Sequence, residues 1–283
     1  MIKTYYLVTK PGIILGNLVT VAAGFALASK GHLNVGVFLA TLVGLACVIA
    51  SACVFNNYID RHADEKMART KNRPLVTGAI SIRNAILFAI SLGVFGILVL
   101  ALFTNLLTVF IAASGFCIYV FLYSFWKYRT AYATEIGSFA GGVPPLVGYC
   151  AASGSLDGGA LLLFLMIALW QMPHFFAISM YRCEDYAAAS IPVLAIKKGM
   201  TTTKVRMLLY IVAFLVVTLL LTLCGYTGMA YLTTAALLGT AWLWLCIKGF
   251  KSANDKLWAR HMFRFSLIVI MALSILISVD AHL

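Results

Sequence analysis

Nine stretches of this chain contain no Asp, Glu, Lys or Arg, at residues 11–29, 36–59, 84–103, 105–126, 136–156, 158–181, 207–229, 230–247 and 265–279. A helix needs about 20 residues to cross the hydrocarbon of a bilayer. The sequence therefore predicts an all-α polytopic membrane protein of nine transmembrane helices, with the last span the shortest. Composition agrees: 63% of the 283 residues are hydrophobic and 11% charged, and the mean hydropathy is +0.98. A soluble domain carries roughly a quarter charged residues.

The loops between the runs alternate between basic and nearly neutral. With the N-terminus in the cytoplasm, every one of the 21 Lys and Arg residues except Lys30 falls at a cytoplasmic segment, as the positive-inside rule requires. The turns near Asn105, Asp157 and Gly225 then lie outside, and a nine-span chain ends outside. The net charge of +12 is explained by basic loops beside anionic lipid and calls for no nucleic acid. Seven cysteines lie mostly inside apolar runs, without metal-site or external disulfide spacing, and read as small packing residues. The first run has signal-peptide length but no small-residue processing site, and is expected to be retained.

Two loops on the basic side carry charge that topology does not explain. The first reads NNYIDRHADEKMARTKNRPLVTG. Asn56, Asp60 and Asp64 recur every four residues, so a helix continuing out of the second span aligns them on one face. Carboxylates crowded at a poorly solvated mouth repel one another, and a divalent cation is the natural compensation. Oxygen ligands of this kind suit Mg²⁺, which binds through one or two carboxylates plus substrate phosphates. Arg69, Lys71 and Arg73 follow and could hold the phosphate oxygens, before Pro74 and Gly78 turn the chain. Each charge alone is an ordinary helix-end signal; the combination points to a metal–phosphate site.

The second cluster, in WQMPHFFAISMYRCEDYAAASIPVLAIKKG, places Tyr181 and Asp185 four apart on an expected helical face. Arg182 and Glu184 lie beside them, and Lys197 and Lys198 farther on. Both clusters follow an even-numbered span, as parallel halves near 1–130 and 131–283 of one membrane domain would produce. His174 lies inside an apolar stretch, where an ionisable side chain faces protein or a cavity; a ligand contact and a hydrogen bond to a neighbouring helix are both open readings. Glu135 lies near an inner membrane boundary with Lys127 and Arg129 close by, where ion pairing is at least as good a reading as chemistry. His62 points off the Asn56 face and takes no role.

At these residues the chain resembles the UbiA-type intramembrane prenyltransferases, and within them the branch that acts on haem. Asn56, Asp60, Asp64 and the continuation RTKNRPLVTG match the family's diphosphate motif. Many members carry an Asp pair in the second motif, whereas Tyr181 and Asp185, with WQMPHF and SFAGGVPPLVGY, are similar to the haem branch. The resemblance covers nearly the whole chain. It implies a UbiA-type bundle, farnesyl diphosphate as donor, protohaem IX (haem B) as acceptor and Mg²⁺ as cofactor. It further implies catalytic roles for Asn56, Asp60, Asp64, Tyr181 and Asp185, with Asn56, Asp60, Asp64 and Asp185 on the metal. Arg69, Lys71, Arg73, Lys197 and Lys198 would hold diphosphate, and His174 and Arg182 the acceptor. Tyr181 supplies no carboxylate and would instead donate a hydrogen bond or shape the acceptor pocket. The setting implied is a bacterial cytoplasmic (inner) membrane, with association with haem A synthase or terminal oxidase biogenesis open. An enzyme prenylating an aromatic quinone precursor would keep the diphosphate site but change the acceptor cavity. A carrier of anionic metabolites would use the same cations without chemistry.

Overall fold

Every apolar run becomes helix, because hydrocarbon offers the backbone no other partners. A computed structural model describes residues 2–280. A short helix α1 (Ile2–Val8) precedes α2 (Pro11–Ser29), α3 (Val35–Lys66) and α4 (Ile82–Phe103). The next column is α5 (Leu106–Cys117), a π-helical turn at Ile118–Tyr123 and α6 (Ser124–Trp126). Then come α7 (Ala133–Ser153), α8 (Gly158–Tyr181), the short α9 (Cys183–Ala188) and α10 (Leu194–Lys197), and the long α11 (Gly199–Leu223), α12 (Met229–Lys248) and α13 (Asp255–Asp280). The bundle is all-α and polytopic.

Eight of these helices are long and apolar enough to cross a membrane, where the sequence predicts nine. The one that falls short is α7, whose run carries Pro144, Pro145 and several glycines. Its polarity has a structural reason: α7 packs within the protein, with Val143 to Ala151 almost continuously buried, so other helices and not lipid are its solvent. Two further boundaries differ from the sequence reading. Helix α11 begins eight residues before the expected 207, and α13 extends over 26 residues where 15 were expected. In both cases the charge-bearing turns outside the hydrocarbon stay helical. Helix α13 there buries Trp258, Ala259 and Met262 on one face and exposes Lys256, Arg260 and Arg264 on the other.

The nearly neutral turns are set by caps. Asn34, Asn105 and Asp157 accept hydrogen bonds from the first N–H groups of α3, α5 and α8, satisfying donors that a helix start leaves open. Helix α12 is preceded by Gly228, which offers no capping side chain. Asp280 at the end of α13 replaces it, accepting from the Gly228 and Tyr231 N–H groups at 2.8 and 2.9 Å.

Helices α2 and α7 form the centre. A Cβ on Gly148 would sit 2.1 Å from the Val21 carbonyl oxygen, and one on Gly24 2.2 Å from that of Pro145. Here two backbones touch directly, the small-residue packing that membrane helices use in place of a hydrophobic driving force. One core, with Val21, Val143 and Val147, packs α2 and α7 against α3, α4 and α5. A larger one, with Ala23, Leu27 and Tyr149, packs them against α8, α11, α12 and α13. Leu102, Phe110, Leu209 and Leu237 stay exposed on the perimeter, the surface that lipid would cover.

Because the long helices alternate in direction, both charged loops emerge at one end of the bundle. At 1.5 Å per residue the 32-residue α3 is about 48 Å long, well over the roughly 30 Å of hydrocarbon. Its last turns, with Asn56, Asp60 and Asp64, therefore stand at that mouth.

Candidate functional site

The four-residue spacing on α3 does align Asn56, Asp60 and Asp64, and all three are buried, at 3%, 3% and 1% exposure. Buried carboxylates persist only when paired, and each of these oxygens meets a group from a different element. Lys10 Nζ donates to Asn56 Oδ1 at 2.7 Å. Lys127 Nζ donates to Asp60 Oδ2 at 2.5 Å and the Tyr128 hydroxyl to Asp60 Oδ1 at 2.6 Å. Arg73 meets Asp64 Oδ2 at 2.5 Å. The result is a ladder of three acceptors faced by three cations.

Local structure aims each cation. Lys10 adopts a left-handed conformation, φ 56° and ψ 64°, between α1 and α2, a costly one for a side-chain-bearing residue. It is held there because Asn57 donates to the Val8 carbonyl at 2.8 Å, tying the junction to α3 beside Asn56. Lys127 and Tyr128 follow the π-helical turn, a distortion that often marks functional sites. Arg73 is brought back onto α3 by a chain of turns that starts where Thr70 Oγ1 donates to the Asp64 carbonyl at 3.0 Å. Burial, chiefly, pulls the Lys10 ammonium down to about 8. Burial, then the adjacent Asp60, hold the Tyr128 phenol well above its ordinary range.

The remaining predicted residues divide. Of Arg69, Lys71, Arg73, Lys197 and Lys198, only Arg73 reaches the acidic face; the other four are exposed around the mouth and form no ion pair among the described residues. Asp185 joins the two clusters, accepting from the Ala68 N–H at 3.1 Å and lying 3.6 Å from Arg182. Tyr181 and Asp185 do not share a helix, contrary to the sequence reading. Helix α8 ends at Tyr181, Arg182 breaks it at φ −110° and ψ 20°, and Asp185 belongs to α9. His174 is buried, with Nδ1 2.7 Å from the Ser266 hydroxyl of α13. Glu135 pairs with Arg206 at 3.0 Å, not with Lys127 or Arg129, because Lys127 is taken by Asp60. His62 is exposed and off the acidic face, as expected.

Sequence reasoning missed Lys10, Lys127 and Tyr128, which lie 46, 67 and 68 residues from their partners. No local pattern announces such pairs. The break in Lys10–Pro11–Gly12 was the one available signal, and it marks a bend rather than a partner.

The described residues contain no group of three His, Cys, Asp or Glu side chains close enough to hold a metal ion. The donor set is instead one amide and two carboxylates in a row, with Asp185 across the loop. A polar ladder of this kind at the mouth of a helical membrane bundle suits an anionic ligand carried with a cation. A profile of the UbiA prenyltransferase family matches residues 17–268. The chain belongs to that family. Among curated relatives, the Protoheme IX farnesyltransferase of Protochlamydia amoebophila (strain UWE25) is 56% identical over 280 residues, 99% of each chain. Two solved structures share the fold. One comes from work on digeranylgeranylglyceryl phosphate synthase, with TM-score 0.82 and 20% identity over 99% of this chain and 98% of that one. The other is a UbiA homolog from Archaeoglobus fulgidus bound to GPP and Mg²⁺, with TM-score 0.69 and 14% identity over 98% and 99%.

Proposed function

We propose that this UbiA-family protein transfers the farnesyl group of farnesyl diphosphate to a vinyl group of protohaem IX, with addition of water, giving haem O and diphosphate. The observation that carries this reading is its 56% identity, over 99% of each chain, with the Protochlamydia amoebophila enzyme. The acceptor–cation ladder on α3 supplies the chemistry such a transfer needs. We place Mg²⁺ on Asn56, Asp60 and Asp64, in line with the Mg²⁺ bound by the Archaeoglobus fulgidus homolog. These residues fit it: their donors are hard oxygens, and the number of carboxylates is what Mg²⁺ takes when phosphates complete its shell. Asn56 Nδ2 is buried without an acceptor, which a diphosphate oxygen would provide. Bound there, Mg²⁺ would neutralise the diphosphate and ease its departure.

The chain's own residues do the rest. Lys10 holds the Asn56 amide oxygen, and Lys127 and Arg73 hold the Asp60 and Asp64 carboxylates, in place before the ligand arrives. Once these three oxygens turn to the metal, the same three cations are free to hold diphosphate oxygens. Arg69, Lys71, Lys197 and Lys198 add positive potential around the mouth and draw the anion in. Asp185 has one oxygen on the Ala68 N–H and the other 3.6 Å from Arg182; turned away from Arg182, the second would make a second metal contact or hold its water, and Tyr181 borders the acceptor space. As the C1–oxygen bond of the donor breaks, the terminal vinyl carbon bonds to C1. Positive charge is left on the inner vinyl carbon, and water captures it and loses a proton, forming the hydroxyethylfarnesyl side chain.

We take the chain to be one membrane domain in a bacterial inner membrane, with parallel halves near 1–130 and 131–283. In this reading α7 is the ninth crossing, the N-terminus is cytoplasmic and the C-terminus is outside. The direction of α7, from the basic end to the nearly neutral turn at Gly154, supports that count. Association with haem A synthase or terminal oxidase biogenesis belongs to the same reading. Cysteines introduced at Ser155 and Thr201 test the orientation: the first should label from outside and the second from the cytoplasm, and the reverse pattern overturns it.

The reaction is tested by supplying purified protein with farnesyl diphosphate, Mg²⁺ and either protohaem or a quinone precursor, followed by mass spectrometry. Hydroxyethylfarnesyl haem should form with the first acceptor only. Transfer to the quinone precursor alone would make the chain an aromatic prenyltransferase. No transfer, together with Mg²⁺-independent anion movement across proteoliposomes, would make it a carrier.

A further inference from the structure

The Ser266 hydroxyl has a single proton to give. It lies 2.7 Å from the Phe263 carbonyl, which can only accept, and 2.7 Å from His174 Nδ1. If the proton goes to the carbonyl, Nδ1 must be the donor to the serine oxygen. The neutral imidazole then carries its proton on Nδ1 and its lone pair on Nε2. That second nitrogen has no hydrogen-bond partner among the described residues, although His174 is only 8% exposed. The ring is also fixed in direction, stacked on Trp170 at 4.7 Å and flanked by Phe263 at 4.9 Å. A histidine present only for packing has no need of an oriented, unpaired lone pair in an apolar wall.

Two turns farther along α8, Tyr181 touches the same Phe263 ring at 5.7 Å. Its own ring lies under two guanidinium groups, Arg182 at 5.4 Å and Arg260 at 5.9 Å. Arg182 has one edge 3.6 Å from Asp185, and its Nε is buried with no partner. Arg260 is exposed and forms no ion pair among the described residues. Seven residues of helix separate His174 from Tyr181, about 10 Å along the axis. That is of the same order as the distance from the centre of a porphyrin to its propionate carboxylates.

Building on the acceptor assignment above, we propose that the seam between α8 and α13 is a metalloporphyrin site, in which His174 Nε2 ligates the iron and Arg182 and Arg260 hold the propionates. Ser266 is a positioning residue that fixes the tautomer, as groups behind a metal-bound imidazole commonly do. Propionates and vinyl groups occupy opposite edges of protohaem. Anchoring the first at the charged mouth directs the second into the bundle.

The test is titration of the full-length protein in detergent with ferric protohaem, without donor or Mg²⁺, followed by the Soret band and electron paramagnetic resonance. The wild type should show a nitrogen-ligated iron. His174→Ala should lose that signature and regain it on addition of imidazole, which separates ligand loss from misfolding. Ser266→Ala should keep the signature but bind about 10-fold more weakly, the lower range for loss of a group behind a metal ligand. Arg260→Ala should weaken protohaem binding about 10-fold, as for one lost charge-assisted contact, and leave the dimethyl ester unaffected. An unchanged spectrum in His174→Ala overturns the iron ligand, and equal losses for diacid and ester in Arg260→Ala overturn the propionate site. A wild type that farnesylates protohaem without a nitrogen ligand sinks this proposal alone; one that neither binds nor farnesylates it sinks the acceptor assignment as well.

Discussion

Asp60→Asn should slow farnesyl transfer by about 10- to 1000-fold, the range for removing one preorganised electrostatic contact from a reacting site. The carboxylate is the one acceptor in the ladder with two partners, Lys127 at 2.5 Å and Tyr128 at 2.6 Å. Asparagine keeps an oxygen for one of them and removes the charge that would hold Mg²⁺. The fold should survive: the volume is unchanged, and Lys127, at 13% side-chain exposure, can turn toward the solvated mouth. Asp64→Asn should behave similarly, with Arg73 released. Rates of purified variants at limiting and saturating Mg²⁺, beside thermal melting, decide the matter. Wild-type rates in both variants at limiting Mg²⁺ would remove the metal from this face of α3.

Gly148→Ala should destabilise the protein by about 3 kcal/mol, the upper part of the overpacking range. The new methyl would come 2.1 Å from the Val21 carbonyl oxygen, and neither backbone can rotate away as a side chain could. Gly24→Ala should do the same from the other side, against Pro145 at 2.2 Å. Gly16 lies on the same α2, and a Cβ there would meet nothing within 4 Å. Gly16→Ala should therefore be neutral or slightly stabilising, since alanine is the better helix former by up to about 1 kcal/mol. Melting temperatures in one detergent compare the three directly. If Gly148→Ala melts with Gly16→Ala, the α2–α7 contact is not what holds the two cores together.

The acidic half of the site was legible in sequence because helical period is a local property. Asn56, Asp60 and Asp64 are fixed on one face by their spacing alone, once α3 is known to continue past the hydrocarbon. The second cluster shows where that logic stops. Tyr181 and Asp185 have the same spacing, yet the break at Arg182 puts them on different helices, a change of direction that periodicity does not register. Glu135 fails for a related reason. Its nearest cations in sequence were Lys127 and Arg129, but its partner is Arg206, supplied by another helix 71 residues away.

Apolar run length and the one-sided distribution of Lys and Arg determine that this chain is a helical membrane bundle with its charge at one end, since hydrocarbon admits few other backbones. The same local chemistry determines which face of α3 is acidic. Which cations complete that face was decided only by tertiary structure. Lys10, Lys127 and Arg73 converge because Asn57 ties down the α1–α2 junction, a π-helical turn precedes Lys127, and Asp64 caps the turn leading to Arg73. Tertiary packing likewise made the most polar of the long runs an interior helix. Partners separated by dozens of residues leave no periodic trace in a sequence; they exist only where the folded backbone brings them within reach.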